Sequence, residues 1–229
     1  MRESDLAEMM NLGGDERIYP ASMTKIMTAL LTIENLPDLN ETITVPEDIF
    51  EELTAQDASV AGFNPYEQPT VRDLLYGVLL PSGADACETL ARAVGGSEEG
   101  FVAMMNQKAE ELGLTNTHFE NCTGLHNDNH YSTCRDIAVL MSECLKSDTF
   151  REIVTREVYT TEATASHPEG ITLYDTMLHR FTSYEMSTTL ENGAVIEGGK
   201  TGFTDEAGQC LVSFAEYGEK STYSLRQRR

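Results

Sequence analysis

The sequence predicts a fold of the α/β (α+β) class, an antiparallel sheet with a layer of helices. Two observations support this prediction. Apolar residues recur with helical spacing through the middle of the chain, whereas the last third contains short alternating runs typical of strands. The 229 residues include 40% hydrophobic residues, which is enough to form the core of one large domain, alone or with a subdomain.

Five helices are predicted, with bounds set by capping residues and by terminating glycines and prolines. They cover approximately residues 22–35, 70–80, 84–94, 97–113 and 132–145. The first has Ile26, Met27, Leu30 and Ile33 on one face. The polar segment 116–131 is predicted to be a loop because it is rich in Asn and His.

Five strands are predicted, at residues 43–45, 158–159, 171–173, 195–203 and 209–215. The last two are joined by a plausible hairpin connection over residues 204–207. Residues 1–10 alternate poorly, and the tail after Ala215 is polar and then basic. We therefore expect neither end of the chain to add a strand to the sheet.

The net charge of −22 at pH 7 argues against nucleic-acid binding, because no cationic surface is available to neutralise phosphates. The same charge argues against docking on anionic lipid. No apolar segment is long enough to span a bilayer, and the first residues lack the apolar centre of a signal peptide. We expect a soluble chain without an export signal.

The five cysteines are expected to be mostly small buried residues: Cys87, Cys122, Cys134, Cys144 and Cys210.

Ser22-Met-Thr-Lys25 places a hydroxyl and an amine on one face of a helix. A serine becomes nucleophilic when a base takes its proton, and Lys25 can act as that base if burial lowers its pKa. The alternative is that Ser22 is an ordinary N-cap. A capping box would, however, favour Glu or Gln at position 25, and a cation is unfavourable at a helix N-terminus.

Two further motifs carry hydroxyl or amine groups. Pro-Ser82-Gly is either a turn in which Ser82 caps the next helix or the site of a second hydroxyl that relays a proton. In Gly-Gly-Lys200-Thr201-Gly202, small residues flank a cation on a strand, so that another backbone can approach closely. A peptide can then pair alongside with Lys200 and Thr201 facing its carboxylate. The alternative is an ordinary strand with a solvated lysine.

Together, in this order and spacing, the three motifs resemble those of the serine-type D-alanyl-D-alanine carboxypeptidases, the low-molecular-mass penicillin-binding proteins. The similarity covers roughly residues 15–216 and includes segments 101–106, 111–119 and 124–126. It implies the β-lactamase/transpeptidase-like fold, with a helical subdomain over roughly residues 46–150. We expect residues 1–229 to form a single catalytic domain that is truncated at both ends and lacks the family's later domain and membrane anchor.

The resemblance implies that Ser22 attacks the D-Ala-D-Ala carbonyl of a peptidoglycan stem peptide, that Lys25 accepts its proton, and that Ser82 relays a proton to the leaving group. β-Lactams would acylate the same serine. The implied oxyanion hole consists of the backbone N–H groups of Ser22 and Phe203. No cofactor or metal is implied, and the implied location is extracytoplasmic, where the substrate is. The implied substrate-binding residues are Ala84, Lys200, Thr201, Gly202 and Phe203.

Three alternatives remain. Ala84 replaces an asparagine common in the family, which favours a non-catalytic peptidoglycan- or penicillin-binding remnant. A class A-like β-lactamase shares the motifs, but no Glu-x-x-Leu-Asn occurs between Ser82 and Lys200. A zinc site is suggested by four ligand-type residues spaced four apart, although the surrounding Gly, Asn and Asp residues indicate a loop in which this spacing has no meaning. These residues are Cys122, His126, His130 and Cys134.

Overall fold

The computed structural model describes residues 11–217 and the backbone of residues 220–228. Within these residues the helices are α1 (Lys25–Asn35), α2 (Ile49–Ala55), α3 (Val71–Leu79), α4 (Ala84–Gly95), α5 (Glu98–Glu111), α6 (Cys134–Cys144), α7 (Asp148–Val154) and α8 (Leu178–Ser183). The strands are β1 (Arg17–Ile18), β2 (Ser132–Thr133), β3 (Val158–Thr160), β4 (Thr172–Tyr174), β5 (Val195–Thr204), β6 (Gly208–Tyr217) and β7 (Lys220–Arg228).

The main sheet is antiparallel, with the strand order β5-β6-β7. Strands β5 and β6 form the predicted hairpin, which is closed by residues 205–207 and by Gly208 at φ +66°. Two smaller antiparallel pairs, β1-β2 and β3-β4, lie elsewhere in the chain. The α+β prediction of a helical middle and a β-rich end is therefore confirmed.

The expectation that the C-terminal tail adds no strand is wrong. Strand β7 pairs with β6 from Gln209 to Tyr217, and this register places Tyr223 opposite Phe214 and Leu225 opposite Val212. Backbone hydrogen bonds of an antiparallel ladder form whatever the polarity of the side chains, so a mostly polar tail can extend the sheet. Residues 1–10 lie outside the described residues.

Four of the helix predictions agree closely with the structure, whereas the first helix is preceded by a 3₁₀ turn over Ala21–Thr24. The predicted strand at residues 43–45 is wrong: the segment is extended and donates N–H groups to the carbonyls of Glu67 and Pro69, but it is not part of a strand. Helices α2, α7 and α8 were not predicted, because six or seven residues are too few to establish a helical period.

Helix α1 lies at the centre of the helical layer and packs against α3, α4, α5, α6 and α7. Every residue from Lys25 to Thr32 is buried. Burial on all sides is unusual for a helix that contains threonines and a lysine, so these polar groups need internal partners. Thr28 Oγ1 donates to the Cys122 carbonyl at 2.6 Å, and Thr32 Oγ1 donates to the Thr28 carbonyl at 2.8 Å.

None of the helices in the described part of the chain is both long enough and apolar enough to cross a membrane.

Candidate active site

Ser22 lies in the 3₁₀ turn that leads into α1, and its side chain is half-buried. Its Oγ atom accepts a hydrogen bond from Lys25 Nζ at 3.0 Å. The N-cap of α1 is Thr24, which makes no side-chain capping bond. The interpretation of Ser22 as an ordinary N-cap is therefore wrong, and the predicted pairing of the hydroxyl with the amine is present.

Lys25 is almost completely buried, with 3% of its surface exposed. Its Nζ atom donates to the Thr123 carbonyl at 2.6 Å as well as to Ser22. Desolvation lowers the pKa of Lys25 below its usual value of 10.5, against the opposing effect of nearby acidic groups that include Asp85 and Glu88. A buried amine with a lowered pKa beside a serine hydroxyl is suited to remove the serine proton.

Ser82 and Lys200 form a second hydroxyl–amine pair. Ser82 lies in the turn between α3 and α4 at φ +68°, and its Oγ atom accepts a hydrogen bond from Lys200 Nζ at 3.1 Å. The N-cap of α4 is Gly83, so Ser82 does not cap that helix. The observed hydrogen bond of Ser82 is thus to Lys200, and the implied role of Ser82 as a proton relay stays a prediction.

Lys200 is 1% exposed, so the alternative of a solvated strand lysine is wrong. Desolvation and the charge of Lys25 lower the pKa of Lys200 to about 7, while Asp175 and Cys87 act in the opposite direction. Asp175 is itself buried, and its carboxylate accepts the N–H groups of Met177 and Leu178. The site therefore brings two buried amines into electrostatic contact.

Strand β5 is an edge strand of the main sheet and crosses directly over the 3₁₀ turn. A Cβ atom added to Gly202 would lie 2.9 Å from Ser22 N, so only glycine allows this approach. The side chain of Thr201 is hydrogen-bonded to Thr176 Oγ1, and that of Phe203 is 57% exposed. The backbone that approaches the Lys-Thr-Gly segment is the chain's own 3₁₀ turn, and the pairing of a substrate peptide alongside stays a prediction.

A profile of the D-alanyl-D-alanine carboxypeptidase family matches residues 9–225. The chain belongs to this family. DacF of Bacillus subtilis, a D-alanyl-D-alanine carboxypeptidase, is 35% identical over 218 residues, which are 94% of this chain and 53% of that protein. A D-alanyl-D-alanine carboxypeptidase from Streptomyces is 36% identical over 215 residues, covering 90% of this chain and 71% of the relative. The chain thus spans about half the length of the Bacillus relative.

Among solved structures, the crystal structure of a Streptomyces DD-transpeptidase matches with a TM-score of 0.87 and 32% identity, over 99% of this chain and 87% of that one. The fold of this family member is therefore the β-lactamase/transpeptidase fold of the DD-peptidases, as the sequence motifs implied.

Ala84 is buried at the start of α4 and offers only a methyl group where the resemblance implied an amide. Its neighbour Asp85 was not singled out from the sequence. The Asp85 carboxylate is buried and accepts the backbone N–H groups of Ala61, Gly62 and Phe63. This carboxylate thereby fixes the 61–63 segment beside the Ser82 turn.

The 119–131 loop contributes to the site through its backbone, which sequence reasoning missed. Thr123 supplies the carbonyl that binds Lys25. The next residue, Gly124, has φ +83°, and a Cβ there would lie 1.9 Å from the Ala21 carbonyl oxygen. The one signal for this loop in the sequence was the similarity of segment 124–126 to the family. A glycine that allows two backbones to approach closely indicates packing, so it did not point to the Thr123 carbonyl as a partner of Lys25.

The four residues of the suggested zinc site have separate partners. Cys122 Sγ donates to Glu88, and His130 is hydrogen-bonded to Thr24. The ring of His126 packs edge-on against Tyr19 with 4.8 Å between centroids, and Cys134 is the first residue of α6. No disulfide joins the described cysteines, and all but Cys134 are buried, as expected.

A cavity of about 740 Å³ opens beside the site. The walls are formed by α2, α4, Glu98 of α5, the 119–131 loop, and Phe203 with the tip of the β5–β6 hairpin. Ser22, Lys25, Ser82 and Lys200 do not line this cavity, which adjoins the site through Thr123 and Phe203.

We predict that Gly124→Ala strongly destabilises the protein and displaces the Thr123 carbonyl from Lys25. The new Cβ would overlap the Ala21 carbonyl as well as adopting a left-handed φ. Gly113→Ala is the matched control, because Gly113 has φ +71° but open space around it. In urea unfolding, Gly113→Ala should cost about 1–2 kcal/mol, the strain of the left-handed conformation alone. Equal losses in the two variants would contradict the packing described for Gly124.

Proposed function

We propose that this family member is a serine-type D-alanyl-D-alanine carboxypeptidase that removes the terminal D-Ala from peptidoglycan stem peptides. The observation that carries the proposal is the buried Lys25 amine at 3.0 Å from Ser22 Oγ. Such an amine can take the hydroxyl proton because burial favours its neutral form. The names of the relatives support the same activity.

In the proposed reaction, Ser22 Oγ attacks the carbonyl carbon of the penultimate D-Ala as its proton passes to Lys25. The backbone N–H groups of Ser22 and Phe203 stabilise the negative oxygen of the tetrahedral intermediate, a contribution of typically ~10²–10³ in rate per donor. The C–N bond then breaks, terminal D-Ala leaves with a proton, and water hydrolyses the acyl-enzyme. β-Lactams would stop at the acyl-enzyme on Ser22.

The second hydroxyl–amine pair, Ser82 and Lys200, is proposed to bind the substrate's carboxylate and to protonate the leaving group. Lys200 in its charged form attracts the terminal carboxylate, and the Thr201 hydroxyl donates to it. Ser82 relays the proton that Lys25 has taken up to the leaving amine, and Lys200 Nζ hydrogen-bonds to the Ser82 hydroxyl at 3.1 Å. Gly202 lets the edge of β5 lie close enough to Ser22 for the peptide to pair alongside β5.

We further propose that residues 1–229 form one catalytic domain, with a helical subdomain over roughly residues 46–150. The location proposed for this activity is the extracytoplasmic side of the membrane, because peptidoglycan stem peptides are found there. β-Lactam antibiotics are the proposed small-molecule ligands. No step of the proposed reaction requires a metal or cofactor.

A second candidate is a non-catalytic penicillin-binding protein, and the methyl group of Ala84 is the observation that favours it. An amide at this position could bind the substrate backbone, so its absence affects turnover more than recognition. Release of D-Ala from a D-Ala-D-Ala tripeptide separates the two candidates. A protein that forms a penicillin adduct but releases no D-Ala would be the non-catalytic form.

We predict that incubation with a fluorescent penicillin gives a single covalent adduct, detected by intact mass, and that Ser22→Ala gives none. The Oγ atom of Ser22 is the proposed nucleophile, and its loss leaves no group to form the ester. Circular dichroism and thermal melting of Ser22→Ala establish that the variant is folded. An adduct that persists in the folded variant would place the nucleophile elsewhere.

The pKa of Lys200 predicts how penicillin binding depends on pH. Lys200 is charged below about pH 7 and neutral above it, so attraction for the penicillin carboxylate weakens as pH rises. The dissociation constant of the complex that precedes acylation should therefore increase above that pH, by up to about tenfold per pH unit.

Stopped-flow measurement of this dissociation constant across the pH range tests the prediction. Lys200→Gln serves as the comparison, with weaker binding that does not change around neutral pH. A wild-type dissociation constant that stays constant through pH 7 would remove Lys200 from the role of carboxylate ligand.

A further inference from the structure

His130 is a buried histidine that takes no part in the reaction described above. It is 2% exposed, and its Nδ1 atom accepts the backbone N–H of Glu120 at 3.2 Å. Since Nδ1 is an acceptor, the neutral ring carries its hydrogen on Nε2. Nε2 lies 2.8 Å from Thr24 Oγ1 and therefore donates to it. Burial lowers the pKa of His130 to about 3, which keeps the ring neutral in this arrangement.

Through these two bonds, His130 ties the 119–131 loop to the 3₁₀ turn that carries Ser22. Thr24 immediately precedes Lys25 in the chain, and Glu120 lies three residues before Thr123. Both ends of the Lys25–Thr123 contact are thus close in sequence to a partner of His130. The His130 ring also packs edge-on against Phe119, with 5.6 Å between centroids, which fixes its plane.

Two other contacts hold the same loop against the site. Thr28 Oγ1 donates to the Cys122 carbonyl at 2.6 Å. Asn121 Oδ1 accepts the backbone N–H groups of Thr123 and Gly124 at 3.2 and 2.7 Å. Asn121, within the loop, and Thr28, on α1, therefore restrain the backbone around the Thr123 carbonyl. His130 fixes the distance between the loop and the 3₁₀ turn.

The direction of the Thr123 carbonyl matters for the chemistry of Lys25. A neutral amine has two N–H groups and one lone pair. When the Thr123 carbonyl accepts one N–H at 2.6 Å, the rotation of the amine is restricted and its lone pair can point at the Ser22 hydroxyl. A shift of the carbonyl would release the amine and misdirect that lone pair.

We propose that His130 is a positioning residue that acts through Thr24 and the Thr123 carbonyl to aim the Lys25 amine at Ser22. The inference rests on the proposed function, in which Lys25 is the base for acylation. It assigns a role in the acylation step to a side chain that touches neither the substrate nor the nucleophile.

The test measures acylation by a fluorescent penicillin in stopped flow and separates the acylation rate constant from the dissociation constant of the preceding complex. Thr24→Val replaces the hydroxyl by a methyl group of similar shape, and His130→Leu removes both ring nitrogens. Each variant should lower the acylation rate constant by about 10- to 100-fold and leave the dissociation constant unchanged.

Two variants show whether the hydrogen bond itself is responsible. Thr24→Ser keeps the hydroxyl and should retain most of the wild-type acylation rate constant. In the double variant Thr24→Val/His130→Leu, the loss should be no larger than in either single variant, because both remove the same bond. If His130→Leu does not fold, the comparison of Thr24→Val with Thr24→Ser still decides the matter.

His167→Leu is the matched control for the general effect of losing a histidine hydrogen bond. His167 Nδ1 lies 2.8 Å from Glu67 Oε1, in a network that is separate from the Ser22 site. This variant should lose stability without a change in the acylation rate constant. If His167→Leu and His130→Leu both lower the acylation rate constant in proportion to their loss of stability, the inference is contradicted.

Folded Thr24→Val and His130→Leu variants that acylate at the wild-type rate would overturn the positioning role and leave the proposed function intact. Failure of the wild-type protein to form any adduct would overturn both.

Discussion

The arrangement of the site depends on the burial of the Lys25 amine. This amine lies on α1 among packed elements that offer it only a few hydrogen-bonding partners. Removing an ammonium group from water is costly unless the group is neutralised or bound to acceptors. Here the Ser22 hydroxyl and the Thr123 carbonyl are those acceptors. The same burial that lowers the pKa of Lys25 also places the amine against the serine, so the electrostatics and the geometry of the proposed base have one cause.

The surrounding structure can be understood as the means of keeping that amine in place. Helix α1 is buried among five other helices and so cannot shift without disturbing the whole helical layer. The 119–131 loop closes over its N-terminal turn, and Gly124 lets the loop backbone approach Ala21 more closely than any other residue would allow. Strand β5 of the main sheet lies against the 3₁₀ turn at Gly202. Glycine at these two positions brings three backbone segments together around Ser22.

The second buried amine, Lys200, gives the site a different electrostatic character from that of a single lysine–serine pair. The charge of Lys25 disfavours the charged form of Lys200 and adds to the effect of burial on the Lys200 pKa, while Asp175 partly compensates. In the proposed reaction the two amines have different roles: Lys25 is the base, and Lys200 is the cation that attracts the substrate carboxylate. Ala84, the buried first residue of α4, contributes no polar side-chain group where the resemblance implied an amide.

The sequence by itself determined the α+β class, most of the helices and the hairpin of the main sheet, because these follow from local periodicity, caps and turns. It also predicted Ser22, Lys25, Ser82 and Lys200 as site residues, because three short motifs in this order and spacing are far more specific together than any one of them alone; the structure places these four side chains in two hydrogen-bonded pairs. Only the tertiary structure decided that Ser82 contacts Lys200, that the Thr123 carbonyl contacts Lys25, and that the polar tail forms β7. The first two contacts join segments far apart in the chain. The last two use backbone atoms, which every residue has, so no residue type or periodicity signals them.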